Sequence, residues 1–225
     1  VKQGLKILKS RKNLGLKTLL DICGIQNSLE VYHVGYILGP RINAGGRVGK
    51  SSHGANLLLN KDPKDAFKIA SDLDQFNKER QLLEKNVFNQ ILQEIEKNLS
   101  EPIIIISGYN WHEGVIGIVA ARIKEKLNKP VIIISIEKNI GKGSARSIVG
   151  FDIGSTIISA SQQKLLIKGG GHKMAAGFSI EVQNIVKFKE FILKKFKHLN
   201  KNLTEKKNLY LDSVIATTAI NIDFY

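Results

Sequence analysis

The sequence predicts an α/β protein in which a small mixed sheet is joined by one long connector helix to a helical amino-terminal part. Three features carry this reading. From the Asp62-Pro63 pair to Pro102 there is neither glycine nor further proline, and Phe67, Ala70, Leu73, Phe76, Leu83, Val87, Ile91, Ile95 and Leu99 recur every three to four positions, the period of one amphipathic helix. Beyond Pro102, the β-branched runs Ile103 to Ile106 and Val131 to Ile134 flank a helical segment from Glu113 to Leu127. That is the pattern of a βαβ unit whose parallel strands are covered on both faces. Finally, glycine-rich stretches at 39–49, 108–114, 141–147 and 168–177 interrupt the periodicity, and each brings basic or aromatic side chains with it.

In chain order, residues 1–17 carry six basic residues and no acid before Asp21, with Leu5, Ile7 and Leu8 giving a short helical face. Two further short helices are expected from Leu16 to Cys23 and from Leu29 to Leu38, separated by Gly24 and the Gln26-Asn27-Ser28 turn. Residues 39–49 then hold four glycines and Pro40, which predicts a loop presenting Arg41 and Arg47. Guanidinium groups suit phosphate because they bind it bidentately, although a surface connector would carry the same residues. Another short helix is expected from His53 through Leu59. Asp62 caps and Pro63 opens the connector, which as one helix extends roughly 50 to 55 Å. Within it, Asp72-Leu73-Asp74 resembles a metal-binding carboxylate pair, but residues two apart on a helix diverge by about 200°, so the pair reads as solvated surface.

The loop after the first strand, Gly108-Tyr109-Asn110-Trp111-His112-Glu113-Gly114, lies at the carboxyl end of a parallel strand, where ligands of such sheets gather. Trp111 could stack a base and His112 touch a phosphate at the helix start; alternatively Trp111 caps the core and His112 begins the helix. Gly141 to Ser147 reads as a hairpin turn entering a short strand that carries Arg146. Asp152 caps a helix to about Gln162. The stretch Lys168 to Gly177 follows, with three successive glycines before His172. As a loop it would turn consecutive N–H groups toward an anion; as a structural element it would be a tight turn into the strand Ala175 to Ile180. An amphipathic, lysine-rich helix is expected from Ile185 to Leu199. The last stretch, from Asn208, alternates apolar and polar residues like an opening strand.

Thirty-four Lys plus Arg against twenty Asp plus Glu give a formal charge of +14, the electrostatic footprint of a nucleic-acid binder; a generally lysine-rich composition produces the same excess. Cys23 is the only cysteine, so no disulfide or thiolate zinc site forms within the chain. No apolar run approaches the ~20 residues of a membrane span, and a soluble, cytoplasmic protein with no membrane partner is expected.

Taken together, Gly39-Pro40-Arg41-Ile42-Asn43-Ala44 with Arg47, the run from Trp111 to Ala120, Gly143-Ser144-Ala145-Arg146-Ser147, and Gly169-Gly170-Gly171-His172 with Ala175-Ala176-Gly177 resemble the DHH phosphoesterase superfamily. Their order around a long connecting helix is similar to that of its exonucleases specific for single-stranded DNA; related phosphodiesterases act on short oligonucleotides or cyclic dinucleotides. The resemblance implies a division into 1–60 as the end of a DHH domain, 61–100 as connector, 101–200 as a DHH-associated domain, and 207–225 as the start of an oligonucleotide-binding barrel. It implies that Gly169, Gly170, Gly171 and His172 line a phosphate site, that Ser144 and Arg146 face the nucleotide, and that Arg41 and Arg47 stand beside the cleft. The implied activity is 5′-3′ hydrolysis of single-stranded DNA with Mn²⁺ or Mg²⁺, in recombination and repair. The family's metal ligands belong to motifs that would precede Val1; here there is no Asp-His-His triplet, and Asp21 and Asp62 stand alone. No catalytic or metal-ligating residue is therefore assigned within this chain. The metal is expected on residues outside it, and the partners expected are single-stranded DNA and an amino-terminal DHH half.

Overall fold

The computed structural model describes residues 1–26, 29–95, 100–199 and 211–221. The amino-terminal part is helical, with α1 Lys2–Lys9, α2 Leu14–Ile22, a π-helix His33–Leu38 that runs directly into α3 Gly39–Val48, and α4 His53–Leu59. Asn13 starts α2 by accepting the Leu16 N–H at 2.9 Å. Of these, α2, α3 and α4 pack on the first half of α5, Pro63–Ile95, around Leu19, Leu20, Leu57, Ala70 and Leu73. The connector is thus one helix of 33 residues, about 50 Å long. Its start is as expected: the Asp62 carboxylate accepts the N–H groups of Lys64 and Asp65, each at 2.9 Å. Leu99, the last position of its expected period, lies outside the described residues.

The segment 39–49 corrects the sequence reading, because all of it but Gly49 is the helix α3 and not a loop. Pro40 sits in its first turn, immediately after the π-helix. Gly45 and Gly49 serve close packing. A Cβ on Gly45 would lie 3.2 Å from the Leu73 side chain, and one on Gly49 would overlap the Phe76 ring at 2.5 Å.

The same packing corrects the reading of Asp74. It is no solvated surface group: Arg41 Nε donates to it at 2.8 Å and Lys78 Nζ lies 2.8 Å from its second oxygen. Burial alone would raise its carboxyl, but the bonds from Lys78 and Arg41 outweigh burial and hold it below its ordinary value near 3.8. A depressed carboxyl stabilises the fold above its unfolded pKa and loses that contribution as pH falls through the lower folded value. Asp74→Asn is therefore expected to cost about 1–3 kcal/mol near neutrality and to narrow the gap from the wild type below pH ~4, read from urea midpoints across pH.

The carboxyl-terminal half is a five-stranded mixed sheet in the order β1-β2-β3-β5-β4. The strands are β1 Ile104–Tyr109, β2 Val131–Glu137, β3 Ile140–Arg146, β4 Lys168–His172 and β5 Ala175–Glu181. β1 and β2 are parallel, joined through α6 Glu113–Leu127, and every other pairing is antiparallel. Alternation along the isoleucine runs feeds two cores. Ile104, Val131 and Ile133 meet α6 and the end of α5, whereas Ile105, Ile132 and Ile134 meet α7 Ile153–Gln162 and α8 Ile185–Leu199. Asp152 caps α7 as expected, its carboxylate accepting the Ser155 N–H at 2.9 Å.

Two further readings are corrected here. Gly141 to Arg146 is strand, the turn before it being Lys138-Asn139. A Cβ on Gly143 would fall 2.1 Å from the Phe178 ring, so the ring occupies the space a side chain would take. Likewise Gly169, Gly170 and Gly171 form the edge strand β4 and not a nest. None of them has positive φ, and in an extended strand successive N–H groups point to opposite sides. Residues 211–221, read as an opening strand, are exposed and carry one 3₁₀ turn at Thr217–Ala219; Asn208 to Tyr210 and Ile222 to Tyr225 lie outside the described residues. No helix among the described residues is long and apolar enough to cross a membrane.

Candidate nucleic-acid interface

Side chains alternate across the sheet, so the face opposite α7 and α8 can be read from the register. Three rows cross β3, β5 and β4 on that face: Arg146, Ala175 and His172; Ser144, Gly177 and Gly170; Lys142, Ser179 and Lys168. Helix α6 lies over β2 and β3. Beyond it, Gly177 is exposed and Gly170 half-buried, so the sheet backbone itself forms the floor of an open trough walled by α6.

The glycines divide into two kinds. Those that face α7 and α8 have reasons within the chain: a Cβ on Gly169 would lie 2.7 Å from Ile157, and one on Gly171 2.4 Å from the Ala175 carbonyl. Gly170 and Gly177, direct partners on the trough floor, have none. A Cβ on Gly170 would meet nothing within 4 Å, and one on Gly177 only the Gly143 carbonyl at 3.8 Å. Neither has a left-handed φ.

The wall beside this floor is cationic. Gly117 of α6 faces Ser144 and Arg146 so closely that a Cβ there would lie 3.0 Å from both Ser144 Oγ and Arg146 Nη2. Arg146 Nη1 donates to Ser144 Oγ at 3.2 Å and to the Ala145 carbonyl at 2.8 Å, which folds the guanidinium back over the middle row. Arg47, in the last turn of α3, donates to the Gly114 carbonyl at 3.2 Å and so reaches the first turn of α6. Burial pushes the Arg146 guanidinium below its ordinary value, and the neighbouring Arg47 charge adds to the effect. Among the described residues, no carboxylate lies within ion-pair distance of either arginine. Two converging guanidinium groups without a counter-ion form a place for an anion.

His112 is the N-cap of α6, its Nδ1 accepting the Gly114 N–H at 3.1 Å, which leaves Nε2 for a second partner. His172 is exposed at the end of β4, in the same row as Arg146. The fold thus brings Arg47, His112, Ser144, Arg146, Gly170 and His172 to one side of the sheet. It does not bring Arg41, which is held by Asp74 and the Ile37 carbonyl inside the helical part. Of the two readings of Trp111 the structure has the core-capping one: it is buried with Val87, Ile91 and Val115, and its Nε1 donates to Gln90 Oε1 at 2.8 Å. Gly177 and Gly117 were missed as site residues. The two-residue period of Ala175-Ala176-Gly177-Phe178, set against Gly170, carried the signal for Gly177.

Mn²⁺ and Mg²⁺ take oxygen ligands, carboxylates above all. Among the described residues, no three His, Cys, Asp or Glu side chains gather where a metal could be held, so these donors do not fit either ion.

Comparison with known proteins places this architecture. Residues 82–198, more than half of the chain, match the DHHA1 domain family. The single-stranded-DNA-specific exonuclease RecJ of Bacillus subtilis (strain 168) is 34% identical over 186 residues, which cover 81% of this chain and 23% of that protein. The crystal structure of RecJ in complex with Mn²⁺ from Thermus thermophilus superposes with a TM-score of 0.77 at 30% identity, over 88% of this chain and 29% of that one. Its complex with Mg²⁺ gives 0.76 at 30% identity, over 88% and 30%. The chain therefore spans between 23% and 30% of the length of these relatives. On the match across its sheet domain the chain belongs to the DHHA1 domain family, and it is homologous to that part of RecJ.

Proposed function

We propose that this chain is the strand-holding part of a metal-dependent 5′-3′ exonuclease specific for single-stranded DNA, acting in DNA recombination and repair. The observation that carries the reading is the pair Gly170 and Gly177, bare where no described neighbour requires glycine, beside two arginines with no carboxylate in ion-pair distance among the described residues. Such a floor admits a sugar and base directly against the backbone, while Arg146 and Arg47 take a phosphate. Ser144, His112 and His172 supply further donors around it. Paired Mn²⁺ or Mg²⁺ would activate the attacking water and stabilise the leaving oxygen, held by residues outside this chain. What the chain itself contributes is binding and orientation, so alone it does not hydrolyse.

The partner in this reading is an amino-terminal DHH half, of which residues 1–60 are the end; 61–100 are the connector and 101–200 the DHH-associated domain. The apolar cleft of about 520 Å³ between α1, α2 and the π-helix, lined by Leu5, Leu8, Leu16, Val31 and Val34, supports a further body packing there. Residues 207–225 are assigned to the start of an oligonucleotide-binding barrel on the family resemblance alone.

The test is Gly177→Ala together with Gly170→Ala. Replacing an extended glycine by alanine where space is free raises stability by about 0.4–1 kcal/mol, so the thermal midpoint should hold or rise. Affinity for a single-stranded decamer should fall about tenfold, near 1.4 kcal/mol. Unchanged affinity in the more stable variant would remove the trough as the binding surface.

A further inference from the structure

We propose that the row Lys142-Ser179-Lys168 is a second, distal phosphate subsite, which makes this sheet a holder of a chain of nucleotides and not of one. The inference rests on the strand-holding reading above and extends it to a place that neither the glycine floor nor the arginines define.

Lys142 on β3 and Lys168 on β4 are both registered with Ser179 on β5. They therefore stand on the trough face at either side of one small residue, about 10 Å apart across two strand spacings. Both are exposed, and among the described residues no carboxylate lies within ion-pair distance of either. Two lysines on a sheet with only a serine between them repel, and an anion above Ser179 would be within reach of both flexible stems.

Position along the strands gives the row its meaning. It lies four residues from the Arg146-Ala175-His172 row, roughly 13 Å at 3.3 Å per residue, with the bare Gly170–Gly177 floor between. A mononucleotide phosphate bound by Arg146 has nothing that reaches so far; the backbone of a longer strand does. Beyond the lysine row the same face carries Glu181, paired in register with Ile140, a carboxylate that ends the cationic track. Substrate length is thereby read by this domain: cations at both ends of a glycine floor favour oligonucleotides over single nucleotides or compact cyclic dinucleotides.

The experiment measures equilibrium binding of thymidine 5′-monophosphate and of a dT10 strand to the 225-residue chain over a range of salt. It compares the wild type, the double variant Lys142→Gln/Lys168→Gln, and Arg146→Ala, with circular dichroism confirming that each is folded. The double variant is expected to bind dT10 about tenfold more weakly, and its salt slope should fall by about 0.7, the value for one phosphate contact on a single strand. Binding of the monophosphate should be unchanged. Arg146→Ala should weaken both ligands. If the double variant leaves dT10 affinity and slope unchanged while Arg146→Ala weakens them, the distal subsite is wrong and the strand-holding reading stands. Equal loss for both ligands also overturns it, because the lysines would then serve the arginine site. If the wild type binds neither ligand, or Arg146→Ala has no effect, the underlying reading fails and the subsite with it.

Discussion

Arg146→Ala is expected to weaken single-strand binding by about 10- to 100-fold, the equivalent of losing one charge-assisted phosphate contact of roughly 1.5–3 kcal/mol. The guanidinium is half-buried between α6 and Ser144, and burial already disfavours its charge. Its remaining partners are neutral oxygens, and Arg47 adds repulsion. A bound phosphate would supply the counter-charge that the fold withholds, so the affinity rests heavily on this one group. Stability should scarcely change, since removing the charge relieves the repulsion as it empties the site. The salt slope should fall by about 0.7. Arg146→Lys should restore only part of the loss, because a point charge cannot reproduce the planar fork that Ser144 and the Ala145 carbonyl orient. Anisotropy titrations of labelled dT10 at several salt concentrations measure all three. An Arg146→Ala chain that binds as the wild type does would show that the phosphate lies elsewhere.

Trp111→Ala is expected to cost about 3–5 kcal/mol of stability, the range for removing a large buried aromatic side chain. The indole is so close to Gly108 that a Cβ there would lie 2.5 Å from the ring. Its N–H donates to Gln90 on α5, while the residue's backbone carbonyl accepts from the Ser135 hydroxyl on β2. The ring thus ties the connector to the sheet just where α6 begins. Urea unfolding followed by far-UV circular dichroism should show the midpoint falling sharply. Strand affinity, compared where both proteins are folded, should change far less than in Arg146→Ala. A large loss of affinity at unchanged stability would return Trp111 to the role of a base-stacking platform.

These two residues show what the sequence makes legible. Elements with a local chemical signature are found where expected: Asp62 and Asp152 cap their helices, and the two isoleucine runs pair in parallel around α6. Glycine is where the reading goes astray, because the same residue signals a turn through its free φ and a close contact through its missing side chain. Gly45 in a helix, Gly49 at its end, and Gly143 and Gly169 in strands, are present for the second reason, which depends on Leu73, Phe76, Phe178 and Ile157 standing opposite. Arg41 illustrates the same limit for charge. Its partner Asp74 lies 33 positions along the chain, and only the packing of α3 on α5 brings them together. By contrast Ser144, Arg146 and His172 fall on one face through strand register alone, since a short antiparallel sheet places neighbouring strands in simple register.

The most direct measurement is photo-crosslinking of a dT10 strand carrying 4-thiothymidine to the chain, with the attached peptides mapped by mass spectrometry. Attachment within residues 140–146 and 168–181, reduced in the Gly170→Ala/Gly177→Ala variant, is the predicted result. Attachment confined to the lysine-rich surfaces of α1 or α8, and unaffected by those glycines, would contradict it and make the binding a consequence of net charge alone.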